Sequence, residues 1–100
     1  MIQVTLHDSS IWAAGHSGSG PKGQDTVCAA VSILMEATAA ALKASGTLTL
    51  AVRGDGFFAV SAADRSGIWT VAQQGFLLLA RHCGEFVQVT DLRARRKRHV

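Results

Sequence analysis

Residues 2–7, IQVTLH, alternate between apolar and polar: Ile2, Val4 and Leu6 fall on one face, Gln3, Thr5 and His7 on the other. A period of two predicts a strand with one face in a core and one in solvent. DSS at 8–10 reads as a turn, and IWAAGH at 11–16 as a second strand paired with the first in a hairpin. From Thr26 the period lengthens. Val27, Val31, Leu34, Met35 and Leu42 share one broad face, with Asp25 as N-cap and Gly46 just past the end, so a helix is predicted over 26–44. TLTLAV (47–52) and GFFAVSA (56–62) flank RGDG, where Asp55-Gly56 predicts a tight hairpin bend. A second helix is expected from a cap at Asp64 to about Arg81, with Ile68, Val71, Ala72, Phe76 and Leu79 facing inward. EFVQVTD (85–91) then carries Phe86, Val87 and Val89 as a last strand.

The resulting order, β-β-α-β-β-α-β, predicts an α+β two-layer sandwich: a mostly antiparallel sheet with two helices on one face. One hundred residues suffice for one domain, expected over 1–92, followed by a disordered basic tail at 93–100. Composition changes this picture little, since 48% apolar and 17% charged residues describe an ordinary globular chain. Charge adds more. RARRKRH at 93–99 holds five of the ten Lys and Arg, leaving five basic against seven acidic residues elsewhere. Such a tail is either a solvated terminus or a sequence-neutral RNA contact through phosphates; no aromatics are interleaved, so base stacking is not expected. No apolar run approaches the roughly 20 residues of a membrane span, and no basic region followed by an apolar stretch opens the chain. The expected address is the cytoplasm, with no membrane partner.

Cys28 and Cys83 are too few for a disulfide scaffold, and no CxxC or His/Cys cluster suggests a metal, so no cofactor is expected. Chemistry concentrates at residues 13–32, AAGHSGSGPKGQDTVCAAVS. With Asp25 at the cap, Cys28 stands at the third helical position, where unpaired N–H groups and the helix dipole favour a thiolate. His16 closes the second strand, beside which the helix start must pass. A histidine in reach would take the thiol proton and return it to a leaving amine. The intervening loop, Ser17, Gly18, Ser19, Gly20, Pro21, Lys22 and Gly23, is expected to be mobile and to admit a substrate. Pattern alone also allows the plainer alternative, in which His16 is a polar strand terminator and Cys28 a small core residue.

The run GHSGSGPKGQDTVCAAVS resembles the signature of the ribosomal-processing cysteine protease (Prp) family. There a Gly-His pair precedes a glycine loop, an Asp, a catalytic Cys on a helix beginning VCAAVS, and a Ser one turn on. Those roles fall on Gly15, His16, Asp25, Cys28 and Ser32. The resemblance implies a homodimeric Cys-His dyad endopeptidase that removes a short N-terminal extension from a large-subunit ribosomal protein. Cys28 would be the nucleophile and His16 the base and then acid. Asp25 would hold the helix start or orient His16. Ser32 would support Cys28 or bond its own helix backbone. Ser17 stands where a small apolar residue is expected, and Pro21 and Lys22 also depart from the pattern, all at positions that should read the substrate. Two other readings remain: a phage-type relative processing a viral structural protein, and a non-enzymatic RNA- or ribosome-binding module with Cys28 in its core. Cys83 reads as a structural thiol and His7 as a solvent-facing strand residue. Trp12, Trp69, Phe57 and Phe58 read as core or dimer-interface residues.

Overall fold

A computed structural model of the chain describes residues 1–16, 25–63 and 67–94. The elements follow the expected order: β1 (Ile2–Leu6), β2 (Ser10–Ala14), α1 (Thr26–Ala44), β3 (Leu48–Gly54), β4 (Phe57–Ala62), α2 (Gly67–His82) and β5 (Val87–Asp91). The five strands form one sheet in the order β3-β4-β2-β1-β5. Three of its pairings are antiparallel, while β5 runs parallel to β1.

The alternation in β1 does what a period of two requires. Ile2, Val4 and Leu6 are buried, and their partners across the sheet, Ala13, Ile11, Val60 and Val87, lie on the same face. Both helices cover that face, contributing Val27, Val31, Met35 and Leu42 from α1 and Trp69, Ala72 and Phe76 from α2 to one core. Each fully buried side chain of this size contributes about 1.5–3 kcal/mol, so this face holds the layers together. Neither described helix covers the opposite face, where Trp12, Leu50, Val52 and Phe57 are exposed. His7 is half-buried rather than solvent-facing, because its ring packs against Trp12 at 5.0 Å.

Asp25 is the N-cap of α1, its Oδ1 accepting from the Cys28 N–H at 2.9 Å. At the other end Gly46, at φ +76°, lets Thr47 N–H reach Leu42 O and its own N–H reach Lys43 O, which closes the helix. The membrane expectation needs a correction at α1. Its 19 residues, with Glu36 and Lys43 the charged ones, are long and apolar enough to span by length and composition. Alanines supply much of that apolarity, and one face of α1 belongs to the core.

Two further expectations are corrected. Val71 points outward and is 71% exposed, while Trp69 and Gln73 take inward positions on α2. The i, i+3, i+4, i+7 set is Trp69, Ala72, Gln73 and Phe76, a phase one polar residue conceals. Gln73 is tolerated there because Arg93 donates to its Oε1 at 2.9 Å. Arg93 also forks onto Asp91, which raises its pKa, and Ala94 N–H donates to Asp8. The domain therefore holds Arg93 and Ala94, which the charge pattern had assigned to the tail. Asp64 and residues 95–100 lie outside the described residues.

Candidate active site

The sheet order decides what surrounds His16. Because β2 pairs antiparallel with β4, Ala14 at the end of β2 lies opposite Phe57 at the start of β4. The β3–β4 turn is thereby brought beside the residues that follow β2. Gly15 N–H donates to Gly56 O at 2.8 Å and fastens the two together. Gly15 has φ +102°, and a Cβ there would stand 2.5 Å from the Met1 carbonyl oxygen. The next residue is His16, whose own carbonyl accepts from the Met1 amine at 2.6 Å.

On the helix side, the N-terminus of α1 places Cys28 in its first turn and Ser32 one turn later on the same face. Cys28 is half-buried and packs against the core at its edge. Gly15, His16, Cys28 and Ser32 line one cleft of about 370 Å³. Ile2 and Val31 supply apolar lining, and Arg53, Asp55, Gly56, Phe57 and Phe58 come from the β3–β4 hairpin. The Arg53 guanidinium sits 5.2 Å from the Phe58 ring centre and pairs with Glu36 of α1, which ties the hairpin wall to the helix. The His16 imidazole is 67% exposed, with Nε2 3.9 Å from Asp55 Oδ1.

The structure thus brings together Gly15, His16, Cys28 and Ser32, and gives Asp25 the capping position. Ser17, Gly18, Ser19, Gly20, Pro21, Lys22 and Gly23 lie outside the described residues. Sequence reasoning missed the hairpin's contribution. Asp55 and Gly56 read only as a turn, and the signal that could have flagged them, a charged Asp-Gly bend, has no meaning until β4 is placed beside β2. Cys83 packs against the core and is absent from the lining of this cleft.

Chemically the cleft offers a thiol at a helix start, an accessible imidazole, and apolar and aromatic walls sized for peptide side chains. The profile of the family described as cysteine protease Prp matches residues 1–88. The chain belongs to the Prp family of cysteine proteases. Three solved structures share its fold. The ribosomal processing protease Prp of S. aureus with a covalently linked product peptide superposes with a TM-score of 0.79 at 19% identity, over 91% of this chain and 99% of that one. The same protease with a substrate peptide gives 0.70 at 17% identity, over 90% and 96%. SMU.848 from Streptococcus mutans gives 0.72 at 27% identity, over 94% and 96%. No curated protein sequence matches the chain. Membership in this family sets aside the reading of a non-enzymatic module.

Asp25 can now be tested for more than one role. Asp25→Ala removes the cap and should cost about 1 kcal/mol in thermal or urea unfolding, whereas Asp25→Asn keeps a capping oxygen and should cost only a few tenths. If capping is its whole contribution, peptidase activity follows stability across the pair. An Asn variant with full stability and strongly reduced activity would instead assign Asp25 to the chemistry.

Proposed function

We propose that the chain is a Cys-His dyad endopeptidase in which Cys28 attacks the scissile carbonyl and His16 moves the proton. The single observation that carries this reading is that a helix-start cysteine and an accessible histidine, 12 residues apart in sequence, line one cleft. His16 takes the proton from the Cys28 thiol. The thiolate adds to the carbonyl carbon, and backbone N–H groups at the start of α1 or in the loop between His16 and Asp25 stabilise the oxyanion, with the helix dipole adding to their effect. Collapse of the tetrahedral adduct expels the amine, which receives the proton from His16, and leaves an acyl-thioester on Cys28. Water, deprotonated by His16, then hydrolyses the thioester and restores the thiol.

The proposed substrate is a large-subunit ribosomal protein bearing a short N-terminal extension. The support is the family itself and the S. aureus relative, described as an essential ribosomal processing protease. The test is incubation of the precursor from the same genome with the enzyme, read by intact-mass spectrometry. One cut near the precursor N-terminus supports the proposal, and an intact precursor beside a reactive Cys28 would move the search to viral structural proteins. Reactivity is measured separately. Iodoacetamide at neutral pH should modify Cys28 well ahead of Cys83, and His16→Ala should slow Cys28 alone. Equal rates for the two thiols would remove the basis for the dyad.

We also propose that the enzyme is a homodimer. The exposed apolar side chains on the uncovered sheet face, Trp12, Leu50, Val52 and Phe57, support that reading, since apolar patches of this kind mark association surfaces. Sedimentation equilibrium at micromolar concentration checks it, and a monomer mass would reject it.

A further inference from the structure

Every cysteine-histidine pair faces the same physical problem. An imidazole on a flexible side chain must hold one nitrogen toward the thiol and must tolerate the positive charge it acquires there. In this fold the imidazole is 67% exposed, so packing alone does not hold it. Its contacts with the β3–β4 turn are specific. Gly56 lies against the Nε2 end of the ring: a Cβ on Gly56 would come within 2.9 Å of Nε2 and 3.5 Å of Cδ2 and Cε1. The Asp55 carboxylate stands at the same nitrogen, 3.9 Å away. The turn is fastened to the His16 segment by the Gly15–Gly56 hydrogen bond, which holds the backbones that carry the carboxylate and the imidazole side by side.

We propose that Asp55 is the positioning residue for His16: its carboxylate, at ion-pair distance in this structure, draws in to accept the Nε2–H when the site is occupied, leaves Nδ1 for the Cys28 thiol and stabilises the imidazolium once the proton has moved. The proposal rests on the dyad reading above and adds a third member supplied by a different element. Asp25, on α1, is engaged with the Cys28 N–H, and the cleft's cation, Arg53 on β3, is paired with Glu36. Among the described residues, the Met1 amine is also near His16, bound to its carbonyl, and Asp55 is a carboxylate that stands at the imidazole ring. Its side chain is 91% exposed, and in open solvent such a pair is weak. It strengthens when a peptide covers the cleft and excludes water, which is when the imidazolium is needed.

The substitution that tests this leaves the bend intact, because Asn-Gly suits a tight hairpin turn as well as Asp-Gly does. The probe is iodoacetamide, an uncharged reagent, at neutral pH, with mass spectrometry separating Cys28 from Cys83. Asp55→Asn should slow Cys28 alkylation by about threefold, the size expected for an exposed charge pair, and leave Cys83 unchanged, while Asp55→Glu should restore much of the parent rate. His16→Ala should slow Cys28 further. A Cys28 rate unchanged in Asp55→Asn but slowed in His16→Ala would overturn the role of Asp55 while leaving the dyad standing. A Cys28 rate unchanged in His16→Ala would overturn the dyad, and the proposal with it.

Discussion

Cys28→Ala should abolish peptide cleavage, by at least about 10³-fold, while leaving the fold in place. The size follows from what the thiol does. Without Sγ there is no acyl-enzyme, and His16 has no nucleophile to deprotonate, so what remains is whatever the cleft can do for water. The small structural cost follows from burial. Cys28 is half-buried at the edge of the core, and its replacement removes one atom beside Val31 without opening an enclosed cavity. Stability should change by less than about 1 kcal/mol, so a thermal melt close to the parent's separates lost chemistry from lost structure. Cys83→Ala is the control, since Cys83 follows the end of α2, packs against the core outside the cleft lining and should be dispensable for cleavage. Parental cleavage by Cys28→Ala would remove it as nucleophile, and loss in both variants would point to stability instead.

The elements of this fold were legible because their signals are local. Alternation in β1, the Asp25 cap, the glycine after α1 and the Asp-Gly bend each lie within a few residues and state a backbone requirement directly. His16 and Cys28 could be placed for the same reason, at a strand end and a helix start, with their plainer reading left open, while Ser32 was singled out by the family resemblance. What the sequence hides is pairing between distant segments. Nothing in FFAVSA states that β4 pairs with β2, or that β5 returns parallel to β1. The hairpin wall of the cleft, with Arg53, Asp55, Gly56 and Phe57, depends on the first of those pairings and was read only as a turn and two strands. Gln73 was hidden differently. A buried amide is intelligible only with its partner, and that partner is Arg93, twenty residues on, in a segment whose charge suggested a free tail. Both failures are long-range physics overriding a local pattern.

Gly15→Ala should cost both stability and activity, and a second glycine separates the two effects. Gly15 and Gly46 have positive φ, +102° and +76°, where an alanine costs about 1–2 kcal/mol from its own backbone. Around Gly46 there is nothing within 4 Å of an added Cβ, so Gly46→Ala should lose that amount in unfolding experiments and keep its peptidase activity. At Gly15 the added carbon would lie 2.5 Å from a backbone oxygen, that of Met1, and backbone cannot swing aside as a side chain tip can. The chain must shift at the point where Gly15 bonds Gly56 and where His16 begins. A displacement of about 1 Å in a catalytic group costs on the order of 10²-fold in rate, so Gly15→Ala should be both the less stable variant and slower by about that factor. Measured below both melting transitions, cleavage by Gly46→Ala should match the parent while Gly15→Ala falls. Equal rates in the two would mean that His16 is held from elsewhere, and that the junction of β2 with the β3–β4 turn is structural only.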